Sequence, residues 1–190
     1  MRNLFLAAVL LLAACGQEEG GNVSPPEANG ATPQKTAQGE QPRTNLLEAL
    51  GGSAEHKTLT NAVRAAGLTE TLSGAQPYTL FAPTEAAFQK LPAGTANGLL
   101  APEAKGQLVA LLTGHIVPGV VTAADLGKAI ERGKGKAQLA TVGGSTLTFS
   151  SDGDAILVTD AAGGQARVTG ADRLASNGVV HDVDGVLQGR

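Results

Sequence analysis

Tyr78-Thr79-Leu80-Phe81-Ala82-Pro83-Thr84-Glu85-Ala86-Ala87-Phe88 is the stretch from which the rest of the chain is best read. From Tyr78 to Ala82 it reads as a buried strand. Pro83 closes that strand, and Thr84 stands where a side chain caps a helix running through Ala87 and Phe88 toward Leu91-Pro92. Phe88, four residues past the cap, returns its ring to the core. Aromatic residues are only 3% of the 190-residue chain and tryptophan is absent, yet Tyr78, Phe81 and Phe88 all fall here. In a chain this short of rings, the stretch anchors the core.

Working outward, the first part of the domain reads as helical. Leu46-Leu47-Glu48-Ala49-Leu50 forms a short apolar turn, and a helix over 58–66 is halted by Gly67. A longer helix starts near Pro102. Leu108, Leu111, Leu112 and His115 are spaced to share one face of it, before Val117-Pro118-Gly119 breaks the pattern. A further helix runs from about Ala123 to Arg132 and ends at Gly133. The remainder reads as strands. Runs 137–142, 145–149, 155–160 and 165–169 are separated by Gly143-Gly144, Asp152-Gly153 and Gly163-Gly164, which predict an antiparallel meander. Asn177-Gly178 is a turn signal, Asn tolerating and Gly favouring positive φ, and Val179-Val180-His181-Asp182-Val183 follows as a last strand. Helices first and strands later indicate an α+β domain.

The chain before Leu46 is of another kind. Met1-Arg2 precedes an apolar run from Leu4 to Leu12, the layout of a secretory signal and too short for a membrane-spanning helix. Leu12-Ala13-Ala14-Cys15-Gly16 resembles the bacterial lipoprotein processing box. That resemblance implies cleavage after residue 14, a diacylglyceryl thioether on Cys15 and an acylable new amino group. Two or three acyl chains hold a protein firmly at a membrane, at about 0.8 kcal/mol per buried CH₂. Gly16 in place of aspartate implies the outer membrane, if the host is Gram-negative. From residue 15 to 45 the chain has one large apolar residue, Val23, and four of the nine prolines, so it reads as a disordered tether. As a flexible coil it spans roughly 30 Å on average. Residues 46–190 read as one domain, with residues 1–14 as the signal peptide.

Composition narrows the chemistry. A net charge of −3 argues against binding nucleic acid by neutralising phosphates, and a single cysteine excludes an intramolecular disulfide or a multi-cysteine metal site. No cofactor motif occurs. His115 reads as a buried neutral histidine bonded to backbone. His181 has Ser176, Asp182 and Asp184 nearby in sequence, which raises a triad or a metal site. Neighbours along a strand face opposite ways and Ser176 lacks the elbow of a nucleophile, so a hydrogen bond tying the last strand to the 78–88 stretch is the expected role. Lys128, Arg132, Lys134 and Lys136 read as a solvated basic stretch, with weak contact to anionic lipid or polysaccharide as the alternative. Asp152-Gly153-Asp154 reads as a turn, too short for a calcium loop.

Three blocks in order carry a family resemblance: residues 78–88, Leu111-Leu112-Thr113-Gly114-His115-Ile116-Val117-Pro118-Gly119, and Asn177-Gly178-Val179-Val180-His181-Asp182-Val183-Asp184-Gly185-Val186-Leu187. They resemble the fasciclin (FAS1) domain over essentially all of residues 46–190. The resemblance implies a β-wedge of two small sheets with several helices packed around it. It also implies Phe81, Pro83, Thr84, Phe88, His115, Asn177, Gly178 and His181 as structural positions. Gly114 replaces a tyrosine tied to receptor and matrix contact in animal relatives, so that determinant is not carried over. Asp182 stands where an apolar residue is frequent, and strand alternation predicts that it faces solvent. The function implied is a non-catalytic module, lipid-anchored at the bacterial cell envelope, binding an envelope or matrix protein or a polysaccharide. A small-ligand carrier with a groove between wedge and helices is the alternative, and a hydrolase using His115 or His181 a further one.

Overall fold

The computed structural model describes residues 43–92, 94–153 and 155–188, with backbone alone at 96 and 97. The leader, Cys15, the tether as far as residue 42, and Asp154 lie outside the described residues. Asn45, the last residue of the expected tether, already belongs to the domain. It caps α1 (Leu46–Gly51), accepting from the Glu48 amide at 2.9 Å while the Glu48 carboxylate accepts from its own amide at 3.1 Å. A 3₁₀ turn at Ala54–His56 leads into α2 (Lys57–Ala66), closed by Gly67 at φ 78°. Then come α3 (Thr69–Ser73), β1 (Tyr78–Pro83), α4 (Glu85–Gln89), α5 (Thr95–Leu99) and α6 (Lys105–Thr113).

After α6 the chain gives β2 (Ile116–Pro118), α7 (Ala123–Arg132), β3 (Lys136–Ala140), β4 (Thr146–Asp152), β5 (Ala155–Thr159), β6 (Gln165–Ala175) and β7 (Gly178–Val183). The strands lie in the order β2-β1-β7-β6-β5-β4-β3, with β1 and β7 parallel and every other pair antiparallel. The long β6 makes the wedge. Its first residues pair with β5, and from Val168 onward it pairs with β7 through two register shifts. Beyond β3 the Val142 amide donates to the Ile116 carbonyl at 2.8 Å, so the two ends of the sheet nearly meet. The fold is α+β with the wedge that the sequence resemblance implies.

Strand β1 is buried on both faces because it divides two cores. Leu80 and Ala82 face α1, α2 and α6, packing among Leu46, Leu59, Leu108 and Leu112. Phe81 faces the other way, with Leu126 and Ile130 of α7 and Phe149 and Val158 of the meander. Phe81 and Phe149 meet with ring centroids 5.1 Å apart. Phe88 packs in the first core, as its spacing from Thr84 requires.

Several local expectations change. Thr84 precedes α4 but its side chain makes no capping bond. Glu85 instead reaches back to the start of α2, accepting from the Thr58 amide at 2.5 Å and its hydroxyl at 2.9 Å. The break at 117–119 is strand β2, so α6 ends at Thr113 and His115 lies past the helix rather than on it. The last meander strand extends to Ala175 instead of residue 169. Helices α3 and α5 are each five residues, below the length at which periodicity shows. Lys128, Arg132, Lys134 and Lys136 are all exposed, a solvated stretch around the end of α7.

Candidate functional site

All three histidines of the chain are fully buried, and each is placed by different elements. His115 sits where α6 gives way to β2. Its Nδ1–H donates to the Leu111 carbonyl at 2.8 Å, and its Nε2 accepts from the Leu187 amide at 3.0 Å. That pattern requires the neutral ring. Burial lowers the pKa of His115 from 6.5 to about 4, although the bond to Leu111 and the Asp160 carboxylate both pull upward. Asp160 also takes the Gln188 amide at 2.7 Å, so residues 184–188 lie strapped across the domain with Leu187 fully buried.

His181 lies on β7. Its Nε2–H donates to the Val121 carbonyl at 2.8 Å, and its Nδ1 accepts from the Asp172 amide at 3.3 Å. Its link to the 78–88 stretch is not the expected hydrogen bond but a stacked ring, 5.4 Å centroid to centroid from Phe81. The polar groups near it in sequence diverge. The Asp184 side chain accepts from the Arg167 amide, a bond that holds its carboxyl below the usual carboxylate range, and pairs with Lys90 at 3.0 Å. Ser176 is exposed. No triad forms.

Asp182 is the clearest correction. Alternation predicted a solvent-facing carboxylate on a half-exposed strand, yet every residue of β7 is buried. The strand has β1 on one side and β6 on the other, and the His56 and Arg173 side chains lie against the Asp182 carboxylate. Oδ2 of Asp182 accepts from Arg173 at 2.8 Å, and Oδ1 lies 3.2 Å from Nε2 of His56. The latter pair is close but poorly aligned for a hydrogen bond, so Nε2 of His56 and this oxygen interact by proximity alone, and Nδ1 of His56 likewise makes no hydrogen bond. Nothing local in Ser53-Ala54-Glu55-His56 signals that His56 will meet β7, and sequence reasoning missed it. Gly170 makes room for the carboxylate, because a Cβ there would stand 2.7 Å from Oδ2. Gly170→Ala is therefore expected to lower stability by about 1–3 kcal/mol, read as a reduced midpoint in urea unfolding.

Asn177 and Gly178 do stand at a turn, the tight one between β6 and β7, with Gly178 at φ 158°. Asn177 stays out of the left-handed region. Its carbonyl accepts from the Leu46 amide at 2.9 Å, while its amide donates to the carbonyls of Leu72 and Gly74 at 2.9 and 2.6 Å. One side chain thus clamps the start of α1 and the end of α3 to β7. Gly178 permits close approach: a Cβ would lie 1.9 Å from the Tyr78 carbonyl, inside the parallel pairing of β7 with β1.

A groove of about 300 Å³ opens between α5, α6 and the 184–188 strap. Leu91, Leu99, Leu111 and Val186 supply its apolar walls, and Thr95, Gln107 and Gln188 its polar groups. Among the described residues no three His, Cys, Asp or Glu side chains group to hold a metal, and no helix is long and apolar enough to cross a membrane.

A mixed seven-stranded wedge with helices on both sides, mortared by buried histidines, defines the class of domain. The Fasciclin domain model matches residues 54–189. Protein sll1483 of Synechocystis sp. is 41% identical over 160 residues, covering 82% of each chain. Transforming growth factor-beta-induced protein ig-h3 of Sus scrofa is 34% identical over 77% of this chain but only 20% of its own length. Among solved structures, a FAS1 domain pair from the insect cell adhesion molecule Fasciclin I superposes with a TM-score of 0.67 at 19% identity, covering 77% of this chain and 51% of that one. The chain belongs to the Fasciclin domain family.

Proposed function

We propose that this protein is a lipid-anchored Fasciclin domain displayed at the bacterial cell envelope, on the outer membrane if the host is Gram-negative, where it binds envelope or matrix components without catalysing a reaction. Family membership over nearly the whole domain is the observation that carries this reading. The solved relative from a cell adhesion molecule has the same wedge. The placement of the histidines agrees with a module that binds rather than turns over: all are buried, and His115 and His181 have both ring nitrogens engaged by backbone. Cys15 would supply the anchor, and the tether would hold the domain clear of lipid. Contacts of one domain are weak, and many copies on one surface add avidity.

The test compares host cells carrying the intact protein, a Cys15→Ser version and no protein. Intact protein is expected in the membrane fraction, labelled by a radioactive fatty acid, with greater cell aggregation or matrix binding. Cys15→Ser loses label and adhesion together. Equal adhesion in all three strains would end the adhesive reading, and an unlabelled, freely soluble intact protein would end the anchor.

A further inference from the structure

The groove between α5, α6 and the C-terminal strap has a chemistry of its own. Among the described residues no charged side chain lines it; the polar groups there are the Thr95 hydroxyl and the amides of Gln107 and Gln188. A charged ligand entering would lose hydration and gain no ion partner, whereas a neutral hydrogen-bonding group finds both donors and acceptors. Leu99 and Leu111 also line a second, separate recess of about 10 Å³ with Phe88, Leu108 and Leu112. The three polar residues are exposed, whereas Leu111 is buried and Leu91, Leu99 and Val186 are half-buried.

One wall is held in place by bonds outside the groove. Val186 and Gln188 flank Leu187, whose side chain is fully buried and whose amide is bound to His115, while the Gln188 amide is bound to Asp160. Such a wall needs little ordering when a ligand arrives, which favours binding by a small molecule. A volume of about 300 Å³ is about ten times a water's share of the liquid, the scale of an eight-carbon chain with one polar head.

We propose that this groove binds a small uncharged amphiphile, its hydrogen-bonding head at Thr95, Gln107 and Gln188 and its aliphatic tail between Leu99 and Leu111. The site is independent of the adhesive reading and gives the carrier alternative a defined place and ligand class. The test titrates the mature protein at pH 7 with 1-octanol, and separately with octanoate, following methyl NMR shifts of Leu99, Leu111 and Val186. Octanol is expected to give saturable shifts at these methyls with a Kd of about 1 mM or tighter. Octanoate, with the same number of carbons and a charge, should bind at least tenfold more weakly. Ala110 lines the groove from an exposed position on α6. Ala110→Trp should fill it and weaken octanol at least tenfold with an unchanged unfolding midpoint, and Gln107→Trp, also exposed, should do the same. Absent or non-saturating shifts, equal binding of octanoate, or unweakened octanol binding in both folded tryptophan variants would overturn the proposal.

Discussion

Asn177→Ala is expected to destabilise the domain by about 3 kcal/mol. The residue is buried, and its side chain makes three hydrogen bonds to elements far away in sequence; Leu46 lies 131 positions before it. Truncation leaves the Leu46 amide without its acceptor and the Leu72 and Gly74 carbonyls without their donor. A buried group left unpaired costs about 1–3 kcal/mol, more than a hydrogen bond contributes when made. In a domain of this size the loss lowers the melting temperature by roughly 10 °C. Asn177→Asp separates hydrogen bonding from packing. It keeps the acceptor for Leu46 but sets a carboxylate against two carbonyl oxygens, and should fare no better than alanine although it fills the same space. A near-native melting temperature for Asn177→Asp would show that the clamp is not the source of stability.

Acid weakens the domain through His115. Its pKa is lowered on folding, from 6.5 to about 4, so between these values the unfolded chain takes up a proton that the folded chain refuses. The stabilisation from this group is therefore complete above pH 6.5 and is lost as pH falls toward 4. Over that window the loss is about 3 kcal/mol, since each pKa unit corresponds to about 1.4 kcal/mol. Protonation places a donor where Nε2 must accept from Leu187, so the strap at 184–188 is where release begins. His115→Gln retains a side-chain carbonyl able to accept from that amide and has no charge to gain. It should be less stable at pH 7 yet lose about 3 kcal/mol less than the native protein between pH 6.5 and 4. Urea unfolding across that range, with hydrogen exchange at Leu187 and Gln188, measures both. Parallel pH profiles for the two proteins would contradict this account.

The elements legible in the sequence are those whose signals lie within a few residues. Strand β1 shows as an apolar run stopped by proline, α2 as a helix stopped by Gly67, and α7 as a helix over Ala123–Arg132, which the structure caps through Thr122 and Asp125. Strand β2 was not legible, being three residues beside Pro118 and Gly119. Nor was the far half of β6, where Gly170 and Asp172 mark bulges; the chain turns left-handed at Asp172, φ 56°, while its carboxylate accepts from the Ala123 amide at the start of α7. At the site, burial of His115 and His181 could be expected from their apolar surroundings, but their hydrogen-bond partners could not.

By itself, the order of amino acids determined the α+β class, the stop of α2 at Gly67, the hairpin turns of the meander and the resemblance to a family. Caps, periodicity and glycine turns are local, and a few neighbouring residues suffice to express them. Only the tertiary structure decided that Asp182 is buried beside His56, that Asn177 clamps α1 and α3, that the strap hangs on His115 and Asp160, and that a neutral groove lies beside it. Those outcomes join segments remote along the chain, and a side chain's neighbours there are chosen by how sheets and helices pack.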